Sequence, residues 1–202
     1  MPGLKPTRGK NSLGYYSSSS DDDDSSVTVR KKVLPVDKVD LNSYMGKWYQ
    51  VYTSLSPLLT FELGGRNATA VYTKTDRPDV VAVLNRNEPS YLPAQEIRGW
   101  ARASGNRPGV FHVTLGAGAA SNAENAVFRA PGNYWIVALG PKDGNIYQWS
   151  VVTNSSKSQL YILCRNPQVF KKTHEKEVLK LTTEMGFTTT WNRPRATEQS
   201  HD

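Results

Sequence analysis

Two hundred and two residues, 38% of them hydrophobic, make room for one domain with tails or at most two small domains. No run approaches the eighteen or so apolar residues of a membrane-spanning helix, and the single cysteine, Cys164, excludes an internal disulfide. The net charge of +7 is scattered, with only short clusters at Arg30-Lys31-Lys32 and Lys171-Lys172; it offers no basic face for nucleic acid but leaves open a peripheral contact with anionic membrane.

Residues 1–32 read as a polar tail, because Ser17-Ser18-Ser19-Ser20-Asp21-Asp22-Asp23-Asp24 has nothing to bury against the entropy of being ordered. The opening Met1-Pro2-Gly3-Leu4-Lys5-Pro6 lacks the apolar stretch of a secretory signal, so the expected location is cytoplasmic or peripheral to membranes. A domain over residues 33–192 follows, and residues 193–202 read as a second polar tail. Asp40 caps one helical turn and Gly46 releases the chain into a strand over residues 45–54. Strict alternation there puts Trp48, Gln50 and Tyr52 on one face and Tyr49, Val51 and Thr53 on the other. The next stretch, residues 55–65, is too apolar for a solvated loop. Leu58, Leu59 and Phe61 suit a lid over an open end, or a loop packed on an outer wall.

Short alternating runs separated by turn signals come next, the pattern of an antiparallel all-β fold. Ala68, Ala70 and Tyr72 share a face. In residues 94–104 the charged set, Arg98 and Arg102 with Trp100 between them, must face water, so Gly99 and Ala101 point inward and leave volume empty. Trp100 is then either covered by guanidinium stacking or a contact site for a partner. Phe111 facing in would turn His112 out. Residues 133–139, 146–153 and 158–164 complete eight strands. Asn166 and Pro167 open a helix whose stripe is Phe170, His174, Val178, Leu181 and Met185; Gly186 ends it, and residues 187–191 read as a short ninth strand.

Little in the chain suggests chemistry. His112, His174 and His201 are far apart without a cysteine or carboxylate at ligand spacing, so no metal and no cofactor is expected. No nucleophile-elbow, P-loop or dinucleotide motif is present. Cys164, beside Arg165, reads as a small core residue, and no enzyme is expected.

Three separated segments carry a resemblance: the helical turn leading into Gly46-Lys47-Trp48-Tyr49, then Gly132-Asn133-Tyr134-Trp135-Ile136, then Leu160-Tyr161-Ile162-Leu163-Cys164-Arg165. In that order they resemble the lipocalins, and most closely the branch of apolipoprotein D, the bacterial outer-membrane lipocalins and the plant temperature-induced lipocalins. The resemblance implies an eight-stranded up-and-down antiparallel barrel with one C-terminal α-helix packed outside. It implies that Arg165 lies across Trp48 to shut one end, with Gly46 as a third scaffold residue. It also implies a cavity touched by Tyr72, Trp135 and Tyr161, to which the inward face adds Tyr52, Gly99, Ala101 and Phe111. The function implied is non-enzymatic binding and transport of a small hydrophobic or amphipathic ligand, such as a fatty acid, lysophospholipid or sterol. A lipid-directed enzyme on the same barrel and a recognition protein using the outer face are the alternatives, and oligomeric state is left open. The chain departs from the branch in lacking its paired cysteines and the proline-rich apolar loop of its plant members, and in its longer N-terminal tail.

Overall fold

The computed structural model describes residues 33–58, 65–89, 92–116 and 126–200. Asp40 caps α1 (Leu41–Tyr44), its carboxylate accepting from the Asn42 and Ser43 amides. Gly46 then takes φ +93°, a conformation a side chain would resist, and turns the chain into β1 (Gly46–Thr53). After α2 (Leu55–Leu58) come β2 (Arg66–Lys74), β3 (Val80–Glu88), β4 (Gln95–Ala103), β5 (Val110–Leu115) and β6 (Tyr134–Leu139). The expected strand 146–153 is divided. Residues 146–147 form β8 (Ile146–Tyr147), paired with β7 (Lys142–Asp143) in a hairpin, and the wall strand proper is β9 (Trp149–Thr153). β10 (Leu160–Cys164) pairs with β9 on one side and β1 on the other. That closes an antiparallel ring in the order β1-β2-β3-β4-β5-β6-β9-β10.

Asn166 caps α3 (Pro167–Thr173), accepting from Val169 N at 2.9 Å, and the helix breaks at His174 before α4 (Glu175–Glu184). These helices lie outside the ring and create a second core. Leu160, Ile162 and Cys164 of β10 face outward with Val51 and Val151 against Phe170, Val178 and Phe187. Cys164, fully buried there, fills space. Tyr161 and Leu163 alternate to the inside, where Trp48, Ala70, Tyr72, Val83 and Phe111 form the inner core.

The C-terminal segment departs from the expected frayed tail. Residues 187–191 turn without pairing, and the ninth strand is β11 (Arg195–Ala196), opposite Thr53 and Tyr52 of β1. β1 and β2 are paired only from Gly46↔Tyr72 to Tyr49↔Thr69. Beyond that they part, and residues 195–200 fill the gap. Thr197 N donates to Val51 O, Asn67 N to Glu198 O, and Gln199 Nε2 to both Gln50 O and Ala68 O. Ser200 N donates to Asn67 Oδ1 at 2.7 Å. Nothing apolar marks this segment in sequence; its fit is through backbone groups that the diverging strands leave unpaired.

Candidate ligand cavity

The closed end is built around Trp48, which has no exposed surface. Its Nε1 donates to Tyr44 O at 2.8 Å, fixing α1 beneath the ring of strands. The Arg165 guanidinium stacks over the indole at 3.7 Å from its centroid. It donates to five carbonyls: Tyr147, Lys47, Ser43, Tyr44 and Met45. Burial lowers the Arg165 pKa to about 10, so the group is a cation at neutral pH. Gly46 sits against it, with Arg165 Nη1 3.4 Å from where a Cβ would stand. At the rim of this floor Asp40 accepts from Lys142 Nζ at 2.8 Å, tying α1 to the outer hairpin.

Above the floor runs a chain of hydroxyls. Ser150 Oγ lies 3.1 Å from Tyr44 Oη, Tyr44 Oη 2.8 Å from Tyr134 Oη, and Tyr134 Oη 2.9 Å from Tyr72 Oη. Burial raises the Tyr44 phenol to about 12 and also raises those of Tyr72 and Tyr134, so all three are protonated at neutral pH.

Tyr72 and Tyr134 are the lower boundary of a cavity of about 380 Å³ that reaches toward the open end. Its wall is Ala68, Ala70, Val83, Ile97, Val113, Leu115 and Leu163; Tyr161 lines the side, and Gln50, Asn85, Asn133 and Gln159 supply amides. Asn133 also acts as a substitute strand, its amide bonding both Val113 N and Val113 O where β5 and β6 diverge. Of the described lining residues only Arg86 is charged, and its guanidinium is drawn to Glu88 at 3.3 Å and Glu96 at 3.8 Å. The described lining contains no carboxylate, imidazole or thiol. Pro57 of α2 lines the cavity; Leu58 ends that helix, and Leu59 and Phe61 lie outside the described residues.

The sequence-derived contacts divide. Tyr72 and Tyr161 line the cavity, while Ala101 and Phe111 line a satellite void of about 20 Å³ beside Tyr72 and Tyr134. Gly99 lies between Ile97 and Ala101 on the inward face, but it leaves no empty volume. The β5 backbone crosses so closely that a Cβ would stand 1.9 Å from Thr114 O. Tyr52 does not face the cavity. A bulge between Gln50 (opposite Leu163) and Tyr52 (opposite Ile162) adds a residue and reverses the alternation, sending the Tyr52 hydroxyl out to Glu175 Oε1 at 2.8 Å. Trp135 also lies outside, under the Arg107 guanidinium at 4.6 Å and donating to Pro131 O. Its neighbour Tyr134 takes the inward place; alternation separates the two but carries no sign for which face is in. Ser150, a hydroxyl between Trp149 and Val151, is the signal that the sequence reading passed over.

The family model described as "Lipocalin-like domain" matches residues 39–195. The outer membrane lipoprotein Blc of Vibrio cholerae serotype O1 is 29% identical over 161 residues, covering 79% of this chain and 83% of the relative. Among solved structures, insecticyanin from the tobacco hornworm Manduca sexta superposes with a TM-score of 0.50 at 14% identity, over 85% of this chain and 86% of that one. Japanin from Rhipicephalus appendiculatus, solved with cholesterol, gives 0.46 at 12% identity over 80% and 97%. The expected cytoplasmic location does not stand: the Vibrio relative is named as an outer membrane lipoprotein, which points to an envelope and not to the cytoplasm. With its family model matched over most of its length and its barrel closed by Trp48 and Arg165, the chain belongs to the lipocalin-like family.

Proposed function

We propose that this protein binds, and thereby carries or sequesters, one small hydrophobic or amphipathic molecule such as a fatty acid, lysophospholipid or sterol. The observation that supports this most is the cavity of about 380 Å³, within the range of small-molecule sites, hollow above a sealed floor. Its wall is largely aliphatic, its polar groups are mainly amides and phenols, and its one charged lining residue among those described, Arg86, is drawn to Glu88 and Glu96, so an acyl or ring system gains from leaving water. Tyr72, Tyr134 and Tyr161 are the side chains assigned to the ligand, with Pro57 of α2 bordering the same cavity.

A binding role is favoured over catalysis because acid–base or nucleophilic chemistry needs groups that the described lining lacks, and Cys164 faces the helices instead. Titration with a fluorescent fatty acid, followed by quenching of tryptophan emission, tests the reading. Saturable one-to-one binding, weakened about tenfold when Tyr161 is replaced by a bulkier or charged residue, is expected. Absence of saturation, or binding indifferent to Tyr72 and Tyr161, would remove the cavity from the account.

A further inference from the structure

The hydroxyl chain Ser150–Tyr44–Tyr134–Tyr72 contains four O–H groups but only three contacts. Each contact uses one hydrogen, so one hydrogen is left over whichever way the chain is polarised. On Ser150, which has no exposed surface, or on Tyr44, at 3%, that hydrogen would be buried without an acceptor among the described residues. Tyr72 and Tyr134 border the cavity. Burial therefore drives the surplus to one of these two and directs it into the ligand space. The charge beneath has the same preference. Arg165 spends its donors on backbone carbonyls, and no carboxylate among the described residues lies within ion-pair distance, so its positive charge is uncompensated and is felt at Tyr44 and Tyr72.

We propose that the cavity selects amphiphiles by an oxygen acceptor, a carboxylate above all, that enters first and is seated on Tyr72 and Tyr134, leaving the apolar chain toward the mouth. This rests on the carrier reading and adds an orientation and a headgroup class to it. The hydrogen-bond donor is protein-borne and already oriented, so a ligand lacking an acceptor leaves it unmatched when it displaces water from the floor. A ligand held tail-down would bury methylenes against the same phenols and forfeit that bond.

The test is calorimetric titration of the full chain with dodecanoate and with dodecylammonium, at about 0.3 M salt to screen the net charge of +7. Dodecanoate should bind about tenfold tighter or more, and Tyr72→Phe/Tyr134→Phe should erase most of that difference. Equal affinities in the unaltered protein, or a preference that survives the double substitution, would overturn the proposal and leave the carrier reading standing. If neither probe binds, the carrier reading falls and takes this one with it. A second measurement needs no variant. The carboxyl resonance of bound 13C-labelled dodecanoate should not follow its solution titration between about pH 8 and 4, whereas a headgroup at the mouth would titrate as in water.

Discussion

The two ends of the barrel are closed in different ways. At the floor, one buried indole is held between a backbone carbonyl and a guanidinium that itself gathers five carbonyls from α1, the start of β1 and the β8 hairpin. At the open end β1 and β2 separate, and a polar segment from far along the chain bridges them, with Thr197 and Gln199 bonded to Val51 and Gln50 of β1 and Glu198, Gln199 and Ser200 bonded to Asn67 and Ala68 of β2. The floor is dry, aromatic and multiply tied, while the upper wall is closed by a strip of backbone. Local opening should therefore begin above and reach the floor last, an order that suits a container filled from one end.

The largest break in that contrast is Trp48→Ala. It empties the centre of the floor and should lower stability by about 3–5 kcal/mol, read from urea or thermal unfolding. A loss under about 1 kcal/mol would mean that the upper wall, and not the floor, holds the barrel together. Alkali attacks the same end. The Tyr44 phenol is raised by burial from 10.0 to about 12, so the folded state holds its proton more tightly than the unfolded chain. Stability is full below pH 10 and falls between pH 10 and about 12, by roughly 2–3 kcal/mol from this group. Denaturant melts across that window check it, and Tyr44→Phe should flatten the slope.

Deleting residues 195–202 removes the bridge above and spares the floor. A cost of about 1–3 kcal/mol is expected, with faster amide exchange at Asn67, whose N–H loses Glu198 O, unchanged exchange at Trp48, and quicker ligand release. The smallest effect concerns Asp40, whose carboxyl is held below its usual 3.8, first by Lys142 and then by Ser43. Its contribution is present above about pH 4 and is lost as the pH falls below that. Asp40→Asn should flatten the acid limb of the stability profile without moving the neutral plateau of unfolding by as much as the deletion does.

The contrast also explains what could be read from the sequence. Gly46, Trp48 and Arg165 were legible through the family resemblance, whose matched segments carry them in order, and the structure brings them together at the floor. Tyr72 shares a face with Ala68 and Ala70 by alternation and Tyr161 is placed by the family resemblance; β2 from Thr69 to Lys74 and β10 against β9 keep their register around them. Tyr52 was unreadable because the bulge after Gln50 breaks the period within the strand. Trp135 was mistaken for the inward residue because the larger ring, capped by Arg107, can be covered from outside. Gly99 suggested emptiness and instead admits the β5 backbone, a contact visible only once two strands are placed. The bridging segment was illegible for a simpler reason: it is held by main-chain groups and amides, and neither leaves a hydrophobic period behind.

The central claim, a ligand inside the sleeve above a fixed floor, is met most directly by amide hydrogen exchange with and without saturating dodecanoate. Protection should rise at the cavity-lining strands, at Ala70, Val83, Val113 and Tyr161, with little change on the outward helices α3 and α4. Protection confined to the outer face around Trp100, or no protection with ligand demonstrably bound, would contradict it.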